Sequence, residues 1–274
     1  MTISTKFDHS GKRVFVSGST SGIGRAMVLL FAASGARVVV HGRDAERAGK
    51  VVEEIEAQGG EAMAVLGSLD SDEDFTRIAQ EVEAGFGGID ICICNAGDAQ
   101  PYSSNWFDVP PADWMGNFDR NVGGAVRIAH AFVPGMRERG WGRLILIASS
   151  AYYTPIPDFP AYGPSKAALI SIMVNLTQVL ANTGITVNAI SPGAIRTETL
   201  TANMPDIAAA QGWEETDLDV IERRLMSENW PNSVSRMGRP EEIAAAAAFV
   251  ASEDAGFMNG ANIRINGGER LSFH

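Results

Sequence analysis

Hydrophobic residues gather into short runs that alternate along the chain with longer segments of helical periodicity. The short runs are apolar without strict alternation, which is typical of strands in a sheet that is covered on both faces. They predict strands at about 13–17, 37–41, 62–66, 89–94, 143–149, 185–190 and 262–265. Apolar residues recurring at helical spacing predict helices at about 22–34, 44–57, 72–86, 112–138, 162–182 and 240–251.

Alternating strands and helices predict an α/β fold. Repeated βα units imply a Rossmann-like, doubly wound parallel sheet of about seven strands, with right-handed crossovers and helices on both faces. No internal repeat, low-complexity segment or linker interrupts residues 1–274, so we expect a single domain. Ligands of such sheets bind beyond the carboxyl ends of the strands, where Gly18, Asn95, Ser149 and Pro192 fall.

A glycine-rich turn follows the first predicted strand. Gly18, Gly22 and Gly24 have the spacing G-x3-G-x-G and stand directly before a predicted helix. Glycines let the backbone approach a pyrophosphate, and a helix N-terminus offers free N–H groups and a positive dipole end. The strand–turn–helix context therefore predicts a dinucleotide site, with an ordinary tight turn as the alternative.

Three polar residues suit proton transfer to or from a carbonyl oxygen. Tyr162 and Lys166 lie four residues apart, on one face of a predicted helix, and Ser149 lies thirteen residues before the tyrosine. A neighbouring cation favours the phenolate, so we expect Lys166 to lower the pKa of Tyr162 toward working pH. Taken alone, the Tyr-x3-Lys spacing also fits a pair that serves only solubility.

Several stretches in order resemble the classical short-chain dehydrogenase/reductase family, over about Gly11 to Gly268. They are SGSTSGIG at 17–24, CNAG at 94–97, Asn121 in DRNV, Ser149 after GRLILIA, YGPSK at 162–166, SPG with Thr197, RMGRPEE at 236–242 and INGG at 265–268. Cys94 replaces the first asparagine of the family's NNAG, and Ser17 replaces a threonine.

The resemblance implies an NAD(P)(H)-dependent oxidoreductase that interconverts a secondary alcohol and a ketone. Tyr162 would be the general acid/base, Lys166 would lower its pKa and hold the nicotinamide ribose, and Ser149 would hydrogen-bond the same substrate oxygen. Asn121 would hold a water that links Lys166 to solvent; alternatively, it only ties down a helix. The cofactor itself carries the hydride.

The resemblance also implies which residues bind the cofactor. They are Gly18, Ser19, Ser21, Gly22, Ile23, Gly24, Arg43, Ser68, Leu69, Asn95, Ala96, Gly97, Tyr162, Lys166, Pro192, Gly193, Ile195 and Thr197. Ser68 stands where the family usually has an aspartate near the adenine, so backbone groups or Leu69 would replace that contact.

The end of the second predicted strand indicates which cofactor is preferred. A carboxylate about 20 residues after the glycines would bind the ribose hydroxyls of NAD. Gly42 stands there instead, and Arg43 follows it with a guanidinium that suits a 2′-phosphate. Asp44 opens the next helix, where capping is its expected role. The sequence therefore predicts NADP(H) over NAD(H), with NAD(H) possible; the alternative is that Arg43 is a solvated surface residue.

The segment at about 199–231 is an insertion, and the resemblance implies that it forms a lid over the substrate. Its aromatic and apolar residues, together with those of other loops, suit a bulky or cyclic ketone, or else pack the lid or a subunit interface. These residues are Met204, Trp213, Tyr152, Tyr153, Phe159 and Trp106. Arg196 is either a contact for an anionic group or a surface residue.

Composition narrows the classes of partner. The formal charge of −11 argues against nucleic acid or an anionic membrane as a partner. The first twelve residues have no apolar core of a signal peptide, so we expect a cytoplasmic protein. Cys92 and Cys94 alternate with isoleucines, which predicts buried strand thiols and neither a disulfide nor a metal site.

Two other functions stay open: a catalytically silent nucleotide-binding regulator, and a dehydratase or epimerase that uses the nucleotide as a prosthetic group. The partner expected for an enzyme is a small-molecule alcohol or ketone. The apolar faces of the helices at about 112–138 and 162–182 suggest a homotetramer or homodimer, although such faces also serve as intramolecular core.

Overall fold

The computed structural model describes residues 7–100, 103 and 105–269. Its seven strands form one sheet in the order β3-β2-β1-β4-β5-β6-β7, and all neighbouring strands are parallel. The strands are β1 (Arg13–Val16), β2 (Arg37–Gly42), β3 (Glu61–Leu66), β4 (Ile91–Cys94), β5 (Gly142–Ile147), β6 (Ile185–Pro192) and β7 (Asn262–Ile265). The predicted doubly wound parallel sheet is confirmed.

Helices connect the strands and cover both faces of the sheet. They are α1 (Gly22–Ala33), α2 (Ala45–Glu56), α3 (Asp72–Phe86), α4 (Pro111–Phe118), α5 (Gly124–Arg139), α6 (Tyr162–Val179), α7 (Glu198–Ala210), α8 (Leu218–Glu228) and α9 (Pro240–Ala251). None of the helices in the described residues is long and apolar enough to cross a bilayer.

Two apolar layers form the core, one on each side of the sheet. Because side chains alternate across a strand, Val14 and Val16 of β1 face the layer of α1, α2 and α9, while Phe15 faces the layer of α3, α5 and α6. All three are fully buried. This two-sided burial explains why the strands lack polar alternation in the sequence.

The structure corrects the prediction in two places. The helix predicted at 112–138 is interrupted, since α4 ends at Phe118 and a π-helical turn, Asp119–Gly123, precedes α5. The insertion at 199–231, for which no helix was predicted, contains most of α7 and all of α8.

The strand order reverses between β1 and β4. β1 pairs with β2 on one side and with β4 on the other, so the two halves of the sheet wind away from this point. The connections leaving the carboxyl ends of these strands diverge here and open a crevice.

Candidate active site

The turn between β1 and α1 is shaped so that its backbone faces the crevice. Gly18 and Gly22 have positive φ values of 62° and 52°, a region that favours glycine. A Cβ on Gly24 would lie 2.3 Å from the Gly18 carbonyl oxygen, so no side chain fits there. Three glycines are thus required by the turn itself.

The N-terminus of α1 is left free of its own capping groups. Its N-cap residue, Ser21, makes no side-chain capping hydrogen bond, and the first turn contains no acidic residue. In contrast, Asp44 and Ser71 cap α2 and α3 with their side chains. The uncapped N–H groups of α1 are therefore suited to an anionic ligand such as a pyrophosphate.

Buried polar contacts fix the turn to β4. The Ser17 hydroxyl accepts hydrogen bonds from the backbone N–H groups of Asn95 and Ala96, both at 2.9 Å. The Asn95 amide donates to the carbonyl oxygens of Ser17 at 2.9 Å and Gly18 at 3.1 Å. Asn95 therefore holds the turn in place as well as lining the crevice.

His41 is a site residue that the sequence did not reveal. Its Nδ1 accepts a hydrogen bond from the Gly18 N–H at 3.1 Å, and the backbone N–H of His41 donates to the Ser19 hydroxyl at 2.9 Å. Burial lowers the pKa of His41 to about 4, which keeps the imidazole neutral and able to accept. The available signal was one polar residue among the valines of β2. Ser19, predicted to contact the cofactor, has a fully buried side chain beneath the turn.

A cleft of about 790 Å³ runs along the carboxyl edge of the sheet. It brings together most of the predicted cofactor residues: Gly18, Ser21, Gly22, Ile23, Gly24, Arg43, Ser68, Leu69, Asn95, Ala96, Gly97 and Thr197. Pro192, Gly193 and Ile195 lie at the end of β6 and in the loop before α7, which Thr197 caps. A Cβ on Gly193 would lie 2.9 Å from Asn266 Cα, so this loop packs tightly against the end of β7.

Arg43 follows β2 and lines the cleft, and the residue before it is Gly42, which carries no carboxylate. A Cβ on Gly42 would lie 2.5 Å from Thr20 Cγ2, so a side chain there would displace Thr20. Asp44 accepts a hydrogen bond from the Arg47 N–H at 3.1 Å, which confirms its role as the cap of α2. Arg43 is exposed and lines the cleft.

The structure brings the three proton-transfer candidates together. Ser149 follows β5 and Tyr162 begins α6, and a hydrogen bond joins their side chains. One turn further along α6, the buried Lys166 lies with Nζ 5.5 Å from the centroid of the Tyr162 ring. Lys166 Nζ also donates a hydrogen bond to the Ile147 carbonyl oxygen at 3.0 Å.

Burial dominates the electrostatics of this cluster. Desolvation raises the pKa of Tyr162 above its ordinary value, and the hydrogen bond with Ser149 opposes this only in part. Desolvation lowers the pKa of Lys166 to about 8. In the protein alone, burial disfavours the charged form of both groups and the pKa of Tyr162 is raised on balance, so the lowering effect of Lys166 on Tyr162 stays a prediction.

Asn121 lies in the π-helical turn and ties it to the loop after β4. Its Oδ1 accepts from the Asp98 N–H at 2.7 Å, and its Nδ2 donates to the Asp98 carbonyl oxygen and the Ser165 hydroxyl, each at 2.9 Å. A Cβ on Gly97 would lie 2.8 Å from Lys166 Nζ and 3.4 Å from Asn121 Oδ1. Asn121 therefore ties down its helix and also lies beside Lys166.

The residues proposed for an aromatic substrate pocket are spread over several environments. Trp213 packs with the buried Met204 in a small apolar cluster of α7 and α8. Trp106 packs against Phe107 and Trp114 and remains 55% exposed. These contacts favour packing roles over a shared pocket.

Arg196 is paired with carboxylates of the same chain. Its guanidinium forms ion pairs with Asp219 and Glu222 of α8, each at 2.6 Å.

Cys92 and Cys94, as predicted, are buried free thiols in β4.

Comparison with known proteins covers nearly the whole chain. The family profile described as enoyl-(acyl carrier protein) reductase matches residues 18–269. Dehydrogenase/reductase SDR family member 4 of Bos taurus is 31% identical over 257 residues, which cover 94% of this chain and 86% of that protein.

Solved structures share the same fold. L-sorbose reductase from Gluconobacter frateurii, complexed with NADPH and L-sorbose, superposes with a TM-score of 0.91 at 28% identity, covering 98% of this chain and 100% of that one. A 7α-hydroxysteroid dehydrogenase complexed with NADH and 7-oxo glycochenodeoxycholic acid superposes with a TM-score of 0.84 at 29% identity, covering 97% of each chain.

Proposed function

The chain belongs to the short-chain dehydrogenase/reductase family of oxidoreductases, and from this premise we propose that it interconverts a secondary alcohol and a ketone with a nicotinamide cofactor. One observation carries the proposal. The cluster of Ser149, Tyr162 and the buried Lys166 lies at the same edge of the sheet as the glycine-lined cleft. A proton-transfer group thus adjoins a dinucleotide site, as reduction of a carbonyl requires.

The residues of the cleft fit a dinucleotide. Gly24 and Gly97 have no room for a side chain against neighbouring protein atoms, so they line the cleft with backbone alone, and the uncapped N–H groups of α1 suit a pyrophosphate. Asn95 and Thr197, the residue that follows the loop after β6, complete the lining. When bound, the cofactor supplies or accepts the hydride.

Tyr162 acts as the general acid in reduction. The raised pKa keeps its hydroxyl protonated at neutral pH, so the proton is available to the developing alkoxide. Ser149 donates a hydrogen bond to the same oxygen and fixes its position. Lys166, with a pKa of about 8, can return a proton toward Tyr162, and Asn121 stands beside its ammonium on the route to solvent. In oxidation the same groups work in reverse.

The direct test is a cofactor-coupled screen of ketones and alcohols, run in both directions. We expect oxidation of NADPH in proportion to the alcohol formed. Turnover without net redox change would indicate a dehydratase or epimerase instead. Tight dinucleotide binding without turnover on any member of the panel would indicate a regulator.

We also propose that the enzyme prefers NADP(H). Arg43 is exposed in the cleft, and no carboxylate precedes it to repel a 2′-phosphate. Of the two neighbours described above, one is complexed with NADPH and the other with NADH, so both cofactors occur among related structures. The preference therefore rests on Arg43.

Replacing Arg43 with glutamine is expected to lower kcat/KM for NADPH by roughly 10- to 100-fold, the loss of one charge-assisted phosphate contact. The value for NADH should change less than about threefold, because NADH lacks the phosphate. Steady-state kinetics with both cofactors measure the ratio. Arg47→Gln is the matched control, since its guanidinium in the same cleft is already paired with Asp44. Equal losses for the two cofactors would refute the assignment.

Association of subunits is a further part of the proposal. Large apolar side chains remain exposed on α4, α5 and α6: Met115, Val126, Val174 and Val179. Covering them in a homodimer or homotetramer would remove this apolar area from water.

The segment formed by α7 and α8, which was predicted to be a lid, is proposed to close over the substrate.

A further inference from the structure

A carboxylate is buried in the contact between α8 and the body of the domain. Glu222 of α8 is 4% exposed. Its Oε2 accepts hydrogen bonds from Arg196 Nη1 at 2.6 Å and Arg239 Nη1 at 3.4 Å, and its Oε1 accepts from the Met237 N–H at 3.0 Å. All three donors come from outside α8. A buried carboxylate depends on such donors, so Glu222 holds α8 against the segments that supply them.

These segments pair with each other. The Arg196 N–H donates to the Gly238 carbonyl oxygen at 2.9 Å, and the Gly238 N–H donates to the Ala194 carbonyl oxygen at 2.9 Å. Ile195 and Gly238 thereby form a parallel bridge. Glu222 accordingly clamps α8 onto both sides of this short ribbon.

The ribbon continues directly into the cofactor cleft. Arg196 stands between Ile195 and Thr197, and Thr197 caps α7 by accepting the Leu200 N–H at 3.2 Å. A Cβ on Gly22 would lie 3.2 Å from Thr197 Cγ2, so Thr197 packs on the glycine turn. Movement of Arg196 therefore moves a residue that touches the turn.

The α7–α8 segment is joined to the ribbon by apolar contacts as well. Met204 of α7 and Ile221 of α8 are fully buried, in one cluster with Met237 beside the ribbon. Apolar contacts stabilise the packing of the two helices but are non-directional, so they do not fix the orientation of α8. The ion pair of Glu222 supplies the fixed geometry.

We propose that Glu222 is a positioning residue that couples docking of α8 to the placement of Ile195–Thr197, the segment that the family resemblance puts beside the carboxamide of the nicotinamide. The identity of the ligand rests on the proposed function, while the mechanical coupling does not. Disrupting Glu222 loosens α7–α8 and the ribbon together. The effect on binding is then largest for the part of the dinucleotide near that segment.

The test compares Glu222→Gln with Asp219→Asn. Asp219 pairs with the same guanidinium, but its side chain is 68% exposed, which makes it a matched control. We expect Glu222→Gln to weaken NADPH binding by roughly tenfold in a fluorescence titration. Binding of 2′,5′-ADP, which lacks the nicotinamide end, should change less than about threefold, and cofactor KM should rise more than kcat falls. Hydrogen exchange of residues 198–228 in the ligand-free protein should accelerate in Glu222→Gln, with no such change in Asp219→Asn.

Unchanged NADPH affinity with unchanged exchange would overturn the proposal, and so would equal losses for NADPH and 2′,5′-ADP. If the wild-type protein binds neither ligand, the proposed function fails, and exchange alone decides on the coupling. If Glu222→Gln does not fold, Arg196→Lys replaces it, because lysine keeps the charge but not the planar fork. The same selective pattern is expected there, and its absence would count against the coupling.

Discussion

Replacement of Tyr162 by phenylalanine is expected to lower kcat by at least roughly 10³-fold, the contribution of a general acid or base. The change removes only the hydroxyl, which lies in hydrogen-bond contact with Ser149. The aromatic ring at the start of α6 is retained, so the fold and the cleft should persist. Turnover of the best ketone from the screen and titration with NADPH measure the two effects separately. Cofactor affinity should stay within about threefold, because the change leaves the aromatic ring and all the residues that line the cleft in place.

Tyr152→Phe is the matched control for this experiment. Tyr152 lies in the loop after β5 and packs on Tyr153, with ring centroids 4.7 Å apart, and no lysine follows it at helical spacing. Its activity should remain within about threefold of wild type. A Tyr162→Phe protein that binds NADPH normally and keeps a tenth of its activity would remove Tyr162 from the proposed mechanism.

The sheet was predictable because two-sided burial leaves a direct mark on sequence. Val38, Val39 and Val40 of β2 are fully buried in alternating layers, and such continuous apolar runs occur mainly in covered parallel strands. The interruption between α4 and α5 leaves no comparable mark. It depends on hydrogen bonds from Asn121 to Asp98 and Ser165, which periodicity does not contain.

The helices of the insertion did carry local signals. Thr197 and Asp217 accept hydrogen bonds as the caps of α7 and α8, and both belong to residue types that favour this position. Only α7 carries features that oppose a helical prediction, namely Pro205 and a weak apolar pattern. The capping residues Thr197 and Asp217 were therefore sufficient to predict that α7 and α8 begin where they do.

The sequence motifs predicted which residues of the candidate site lie together, but not their electrostatics or their partners from distant parts of the chain. The spacing of Ser149, Tyr162 and Lys166 led to one cluster, because the residues lie on the end of one strand and the first turns of one helix. The direction of the Tyr162 pKa was not accessible, since it depends on burial. The partner of Arg196 was not accessible either, because Glu222 lies 26 residues away and meets it only in the folded chain.

Replacing Lys166 with methionine is expected to abolish turnover and yet to stabilise the protein at neutral pH. The residue is 2% exposed, and burial lowers the pKa of its ammonium from 10.5 to about 8. This pKa shift corresponds to a free-energy cost of about 3 kcal/mol for burying the charged ammonium. Methionine removes this cost but leaves the Ile147 carbonyl oxygen without its donor, a loss of about 1 kcal/mol. A net gain of roughly 2 kcal/mol in the free energy of unfolding follows for pH 7.

The pH dependence of this gain identifies its cause. Below pH 8 the lysine is protonated in both the folded and the unfolded chain, so the wild type bears the full cost of the buried charge. Between pH 8 and 10.5 the unfolded chain binds more protons than the folded one, so the stability of the wild type rises with pH. The advantage of Lys166→Met should therefore shrink by roughly 2 kcal/mol between about pH 7 and pH 9.5 in urea unfolding.

An exposed lysine separates this effect from a general effect of lost charge. Lys50 pairs with Glu46 on the surface of α2, with its side chain 69% exposed, and Lys50→Met should change stability by less than about 0.5 kcal/mol at either pH. If Lys166→Met is less stable than wild type at pH 7, or if its advantage does not vary with pH, the ammonium is not strained in the folded protein. A gain in stability of Lys166→Met at pH 7 that shrinks at higher pH would instead show that the Lys166 ammonium destabilises the folded protein. Such a cost is expected for a charged group that is retained because catalysis requires it.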